Sequence, residues 1–191
     1  MKIKSLLIAS AVASVILTIY SCKTPQNVEK KTGAVKVSVP FSESKYKTDK
    51  DFFRAKQSGN VQDLAAAKKM ALLNAKSELA GNIKAVIKRV TDQYTNARKV
   101  GDKKDFENKF EELAREVVDQ TLNDVRIMDE EIYKETDGSY TYWVAIETSK
   151  VPVLDAVASK ISKNEKLQLD YDKKKFEEIF NSEMDKMSKE Q

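Results

Sequence analysis

Histidine is absent from the 191 residues. No His-based triad, His metal ligand or His general base can be assembled. The single cysteine excludes an intrachain disulfide and a Cys metal cluster. With 5 Gly in the whole chain there is no Gly-rich phosphate loop, and Ser58-Gly59 lacks the flanking glycine of a nucleophile elbow. A one-sided charge is missing too. The 34 Lys and Arg stand against 30 Asp and Glu, and Lys2 and Lys4 lie in a segment expected to be removed, which leaves 32 against 30. A nucleic-acid binder carries a one-sided basic field; here Lys and Glu are interspersed. Neither a cofactor nor a nucleic-acid partner is expected.

What is present begins with Lys2 and Lys4, followed by an almost wholly apolar or small run from Ser5 to Tyr20. At about 16 residues it is short of the ~20 needed to span a bilayer, and it has the pattern of a secretory signal peptide. The run ends Ile19-Tyr20-Ser21-Cys22, which resembles a bacterial lipobox. Tyr20 departs from the pattern, which prefers a small residue there. The resemblance implies cleavage between Ser21 and Cys22 and a diacylglyceryl thioether on Cys22. The alternative is an uncleaved N-terminal helix. Two acyl chains hold stably in a membrane where one binds only marginally, so Cys22 would be the anchor. The following Lys23-Thr24-Pro25-Gln26-Asn27 lacks an early acidic run, and Lys23 stands where an inner-membrane retention Asp would be. By resemblance to these sorting patterns, attachment to the outer membrane with a periplasmic domain is expected.

The organisation expected is a signal peptide over 1–21, a lipidated tether over 22–50, a folded domain over 51–162 and a C-terminal amphipathic helix over 163–191. Ala34 to Val39 alternates weakly and reads equally as a short edge strand or an extended linker. Asp51 to Lys56 reads as a strand entering a turn at Gln57-Ser58-Gly59-Asn60, with Asn60 a candidate helix N-cap. Leu64, Ala71, Ala75, Leu79, Ile83, Val86, Ile87, Val90 and Tyr94 then form one apolar stripe, predicting a helix over 61–94. Its alanines suit close approach to a sheet, and Gly81 marks a bend or a tight contact. A second amphipathic helix is predicted over 104–120. Strands are predicted over 125–133 and 139–148, joined at Asp137-Gly138. Val151-Pro152 can start a further helix. On the second hairpin strand Tyr140, Tyr142, Val144 and Ile146 share one face and Trp143 and Ala145 the other, so it is central or meets something on both sides. The sum is an α+β fold: a small antiparallel sheet packed against a long amphipathic helix, with a C-terminal amphipathic helix.

The run Phe53 to Gly59 leading into Leu64 to Ala71, the later Ala75-Lys76-Ser77-Glu78-Leu79-Ala80, and the hairpin with Tyr142-Trp143-Val144 together resemble the twenty-kilodalton bacterial lipoprotein family and the related N-terminal domain of flagellar assembly protein T. The resemblance covers roughly 51–148. It implies an α+β domain on a lipid-anchored envelope protein, with no catalytic residues to carry over.

Asp129-Glu130-Glu131 is a carboxylate cluster, but adjacent strand residues point to opposite faces, which works against a shared cation. Glu111-Glu112 with Glu116, and Glu177-Glu178, are helical charge groups without a facing pocket. Tyr140, Tyr142 and Trp143, beside Phe52 and Phe53, are the candidate binding surface, set against the competing reading that they are core. The C-terminal stripe of Phe176, Ile179, Phe180, Met184 and Met187 can dock on its own domain, on a partner or second copy, or on a membrane. The expectation is a non-enzymatic binding or structural protein acting through protein contacts. A periplasmic glycan or peptidoglycan module is the alternative, and an enzyme a weaker third. Replacing Cys22 with Ser should abolish acylation and leave unprocessed precursor; equal fatty-acid labelling of both forms in cells would sink the anchor.

Overall fold

The computed structural model describes residues 37–97, 103–164, 167 and 171–190. In chain order these form β1 (Phe52–Val61), α1 (Leu64–Ala97), α2 (Lys103–Thr121), β2 (Arg126–Lys134), β3 (Tyr140–Ser149), α3 (Lys150–Ser162) and α4 (Lys173–Glu190). The three strands make one antiparallel sheet in the order β1-β3-β2. The expected α+β architecture is what forms, with β3 central.

The β2–β3 hairpin turns where the sequence places it. Gly138 N–H donates to the Glu135 carbonyl at 3.0 Å, Glu135 N–H donates to the Ser139 carbonyl at 2.8 Å, and Gly138 sits at φ 87°. This is a tight turn followed by a left-handed residue, a conformation that favours glycine.

The first strand runs further than expected. Gln57 to Asn60 pair with Val144 to Thr141 and do not turn. Gly59 is present for a different reason. A Cβ there would lie 2.7 Å from the Ala67 carbonyl oxygen and 2.8 Å from the Ala71 nitrogen. A glycine inside a strand marks a close backbone approach, and here the approaching backbone is the first turns of α1. Asn60 does not cap the helix; its amide donates to Ser139 and Thr141. Asp63 caps it, its carboxylate accepting from Ala66 N–H at 2.8 Å.

The stripe on α1 is the core. Ala67, Ala71, Ala75, Leu79, Ile83, Val86, Ile87, Val90 and Tyr94 are buried, while Leu64 at the entry is 39% exposed. The alanines lie where the helix meets the strands, facing Phe53, Tyr142, Val144 and Ile146 within one cluster. A helix of this length runs about 51 Å and ten-residue strands about 33 Å, so about the last third of α1 overhangs the sheet. Large residues fill that end. Tyr94 stacks on Phe106 at 6.0 Å, Phe106 on Phe110 at 4.9 Å, and Phe176 meets both Phe110 and Tyr94 within 6 Å. Such pairs contribute about 0.5–1.5 kcal/mol each beyond their burial.

The C-terminal stripe docks on its own domain. Phe176, Ile179, Phe180, Met184 and Met187 are all buried, and Phe180 meets Phe53 edge-on at 6.3 Å. Glu183 is buried with them. It accepts from Gln93 at 2.6 Å and pairs with Arg89 at 3.1 Å and Lys186 at 2.7 Å, tying α4 to α1. Ser149 caps α3, accepting from Val151 N–H.

The folded unit begins at Ser38, earlier than the expected boundary at 51. Phe41 and Tyr46 are buried against the outer face of the sheet, with Ala145, Trp143 and Met128, and Thr48 is buried at the β1 edge. Of the expected short strand, residues 37–39 are unpaired and Val37 is exposed; 34–36 lie outside the described residues.

Gly81 makes no tight contact: a Cβ there meets nothing within 4 Å. The two glycines should therefore respond oppositely to alanine. Gly59→Ala must push α1 off β1 and should cost about 1–3 kcal/mol. Gly81→Ala should stabilise by about 0.5–1 kcal/mol through helix propensity. Denaturant melts of both variants against wild type check the signs.

Candidate interaction face

On the outer face of the sheet, Arg54, Glu147 and Arg126 stand in one row across β1, β3 and β2. Glu147 is 5% exposed. It accepts from Arg54 Nε at 2.8 Å and Arg126 Nε at 2.7 Å, one oxygen to each. Arg54 also donates to Asp49 at 2.5 Å and to the Lys47 carbonyl at 2.8 Å. A buried carboxylate is expensive unless paired, and two guanidiniums meet that need. Burial works against the charge on Asp49, but the Arg54 hydrogen bond and the amides of Asp51 and Phe52 outweigh it and hold its pKa low. The hollow of about 270 Å³ beside this row is lined by Phe52, Asp124, Arg126, Glu147, Thr148, Ser149 and Pro152. Its buried carboxylate binds both arginines and ties the three strands together.

The three expected binding aromatics do not share a surface. Tyr142 is 2% exposed beneath α1, with Lys68 Nζ 5.4 Å from its ring centroid. Trp143 points the other way and packs on the Phe41–Tyr46 cluster. Tyr140 is half-buried against the main core. Side-chain alternation along β3 puts Trp143 on the opposite face from Tyr140 and Tyr142, and the core reading holds for Tyr142. Phe53 is buried and Phe52 lies on the outer side, under the Arg54 and Arg126 guanidiniums at 5.1 and 5.6 Å.

The acidic trio is also dispersed. Asp129 accepts from the Tyr46 hydroxyl at 2.7 Å, Glu130 pairs with Lys68 at 2.9 Å, and Glu131 accepts from Tyr133. Among the described residues no group of three His, Cys, Asp or Glu is arranged to hold a metal ion. On the helices, Glu111, Glu116, Glu177 and Glu178 sit in surface ion pairs with Arg115, Lys160, Lys173 and Lys175. Against the expectation of no facing pocket, Glu111 borders a hollow of about 330 Å³ between α1 and α2, lined also by Lys84, Lys88, Asp92 and Glu107. No helix among the described residues is long and apolar enough to cross a membrane. Ser21 and Cys22 lie outside the described residues.

The two edges of the sheet differ. The β1 edge is occupied. Thr48 Oγ1 accepts from Arg54 N–H and donates to the Arg54 carbonyl, Asp49 N–H donates to the Phe52 carbonyl, and the Asn74 amide donates to the Ser58 carbonyl. Strand β2 is the other edge. Ile127, Ile132 and Tyr133 are 44%, 53% and 46% exposed, and α1 lies across β1 and β3 while reaching β2 through the Lys68–Glu130 pair.

Pairing order tells which β2 backbone groups face outward. The N–H and C=O of Arg54 point away from β3, so Arg54–Glu147 is a non-hydrogen-bonded pair. Glu147 must then bond to Arg126. Antiparallel alternation, continued past the register shift between Ile127 and Asp129, aims the groups of Asp129, Glu131 and Tyr133 at β3. Those of Glu130, Ile132 and Lys134 aim outward. The Asp129 carboxylate already accepts from Glu130 N–H at 3.0 Å. This edge was not singled out in the sequence. The hairpin could be read from Asp137-Gly138, but which of its strands lies outside depends on β1 joining β3, a long-range choice.

Hydrogen bonding from Tyr46 and from the Glu130 amide holds the Asp129 carboxyl below the usual aspartate range. Tyr46→Phe should move its NMR titration upward while leaving Asp49 in place; no movement would mean that the contact does not form in solution. Comparison with known proteins finds no family model, no curated protein and no solved structure that matches the chain.

Proposed function

We propose that the chain is a lipid-anchored protein of the bacterial envelope, held by Cys22 at the outer membrane on the periplasmic side, with a non-enzymatic role in binding a protein partner. The single observation that carries the binding role is the contrast between the sheet edges: β1 is covered by its own chain and β2 carries exposed Ile127, Ile132 and Tyr133. An unpaired strand edge with exposed apolar side chains beside it is a ready template for another chain, and the C-terminal stripe no longer competes for that role because it is buried internally. The occupied carboxylates and the absence of histidine support a role without catalysis. The lipobox-like run Ile19 to Cys22 supports the anchor.

A photo-reactive residue placed at Ile132 should yield a discrete cross-linked adduct in cells. The same residue at Leu73, exposed on α1, should not. Equal adducts at both sites, or none at Ile132, would place the binding face elsewhere.

A further inference from the structure

We infer that β2 accepts an extended segment of a partner protein as a fourth strand, and that this segment is amphipathic, alternating aliphatic residues with Lys or Arg. The inference rests on the protein-binding reading above and adds the chemistry of the partner.

An unpaired edge presents backbone donors and acceptors that an extended chain can satisfy, and side chains on either face then set specificity. The outward groups are those of Ile132 and Lys134, with Glu130 beside them. The side chains of β2 divide into two unlike faces. Ile127 and Ile132 stand opposite Ile146 and Tyr142, on the helix side, and both are exposed. Glu130 shares that side, but its charge is neutralised by Lys68 at 2.9 Å. That face calls for aliphatic neighbours. Asp129 and Glu131 stand opposite Ala145 and Trp143, on the outer side. Asp129 accepts from the Tyr46 hydroxyl with the Lys45 ammonium close enough to favour its charge, and Glu131 accepts from the Tyr133 hydroxyl. A hydrogen bond from a neutral hydroxyl does not cancel charge, so Glu131 keeps its charge on this face and calls for a cation opposite it.

Symmetric antiparallel pairing of β2 with a second copy about Glu130 would set Asp129 opposite Glu131, and like charges directly opposite are destabilising. Pairing about Ile132 would set Glu130 opposite Lys134 but Asp129 opposite Glu135, so dimerisation through β2 is one of the outcomes the test reads. The register shift at Met128 also bends the strand there, which limits regular pairing to the Asp129–Lys134 stretch.

The test uses the full-length protein in neutral detergent and two synthetic peptides about ten residues long, a usual strand length. One alternates valine with lysine and the other valine with glutamate. Binding is followed by amide exchange. The lysine peptide should slow exchange at Ile132 and Lys134 while leaving Glu131 and Tyr133, already bonded to β3, unchanged. Glu131→Lys should weaken that peptide roughly three- to tenfold and favour the glutamate peptide. Ile132→Pro removes one outward N–H without touching the ladder to β3 and should abolish the protection; should that variant misfold, the Glu131→Lys reversal still decides. Equal protection by both peptides overturns the partner chemistry but leaves the edge as the binding face. Protection elsewhere, or dimerisation through β2 with no peptide bound, overturns the inference, and the Ile132 cross-link separately judges the reading beneath it.

Discussion

The contact between the backbone of α1 and the backbone of β1 sets the geometry of this domain. At Gly59 the strand has no side chain, and Ala67 and Ala71 bring almost none from the helix. The two main chains meet at a distance that any Cβ at Gly59 would break. With the helix seated there, its axis lies over β1 and β3, and its later turns pass beyond the sheet. The overhanging end then needs its own walls. The Phe106–Phe110 face of α2 and the Phe176–Phe180 face of α4 supply them, and the buried Glu183 fixes α4 through Arg89 and Gln93.

The same seating explains the exposed edge. A helix about 10 Å wide covers two strands at ~4.8 Å spacing and little more. With α1 drawn in over β1, the third strand is left with its inner face open. Ile127 and Ile132 are exposed for this reason, although they alternate as core residues would. The outer face of the sheet is closed by a different device. Residues 41–49 fold across β1 and β3, and Tyr46 reaches as far as Asp129. Both coverings favour the β1 side, and β2 is the strand that neither fully reaches.

Much of this was legible in the sequence, and the failures share a cause. The stripe from Ala71 to Tyr94, the Asp137-Gly138 hairpin and the two-sided burial of β3 were readable because each rests on local period or turn chemistry. Gln57-Ser58-Gly59-Asn60 was misread because glycine serves both turns and close packing, and only the arrival of Ala67 distinguishes them. The segment around Phe41 and Tyr46 looked like tether because its few apolar residues follow no period; their value comes from Trp143 and Ala145, a hundred residues away. Grouping Tyr140, Tyr142 and Trp143 into one binding surface failed against the alternation of the strand that carries them. The candidate face on β2 was illegible for a related reason: an edge is a property of strand order, and strand order is decided by β1.

An exposed edge with three large apolar residues would ordinarily be an aggregation hazard. Here the hazard is met by features of the strand itself. The register shift at Met128 interrupts the ladder and bends the strand. Lys134 places a cation at one end, and Asp129 with Glu131 puts two like charges on one face, so copies of the chain repel in a register centred on Glu130. A protein that only needed to hide this edge had the means at hand, since Thr48, Asp49 and Asn74 do so for β1. The proposed fourth strand would take the place that those residues fill at β1. Specificity at such an edge comes from what is repelled as much as from what is attracted.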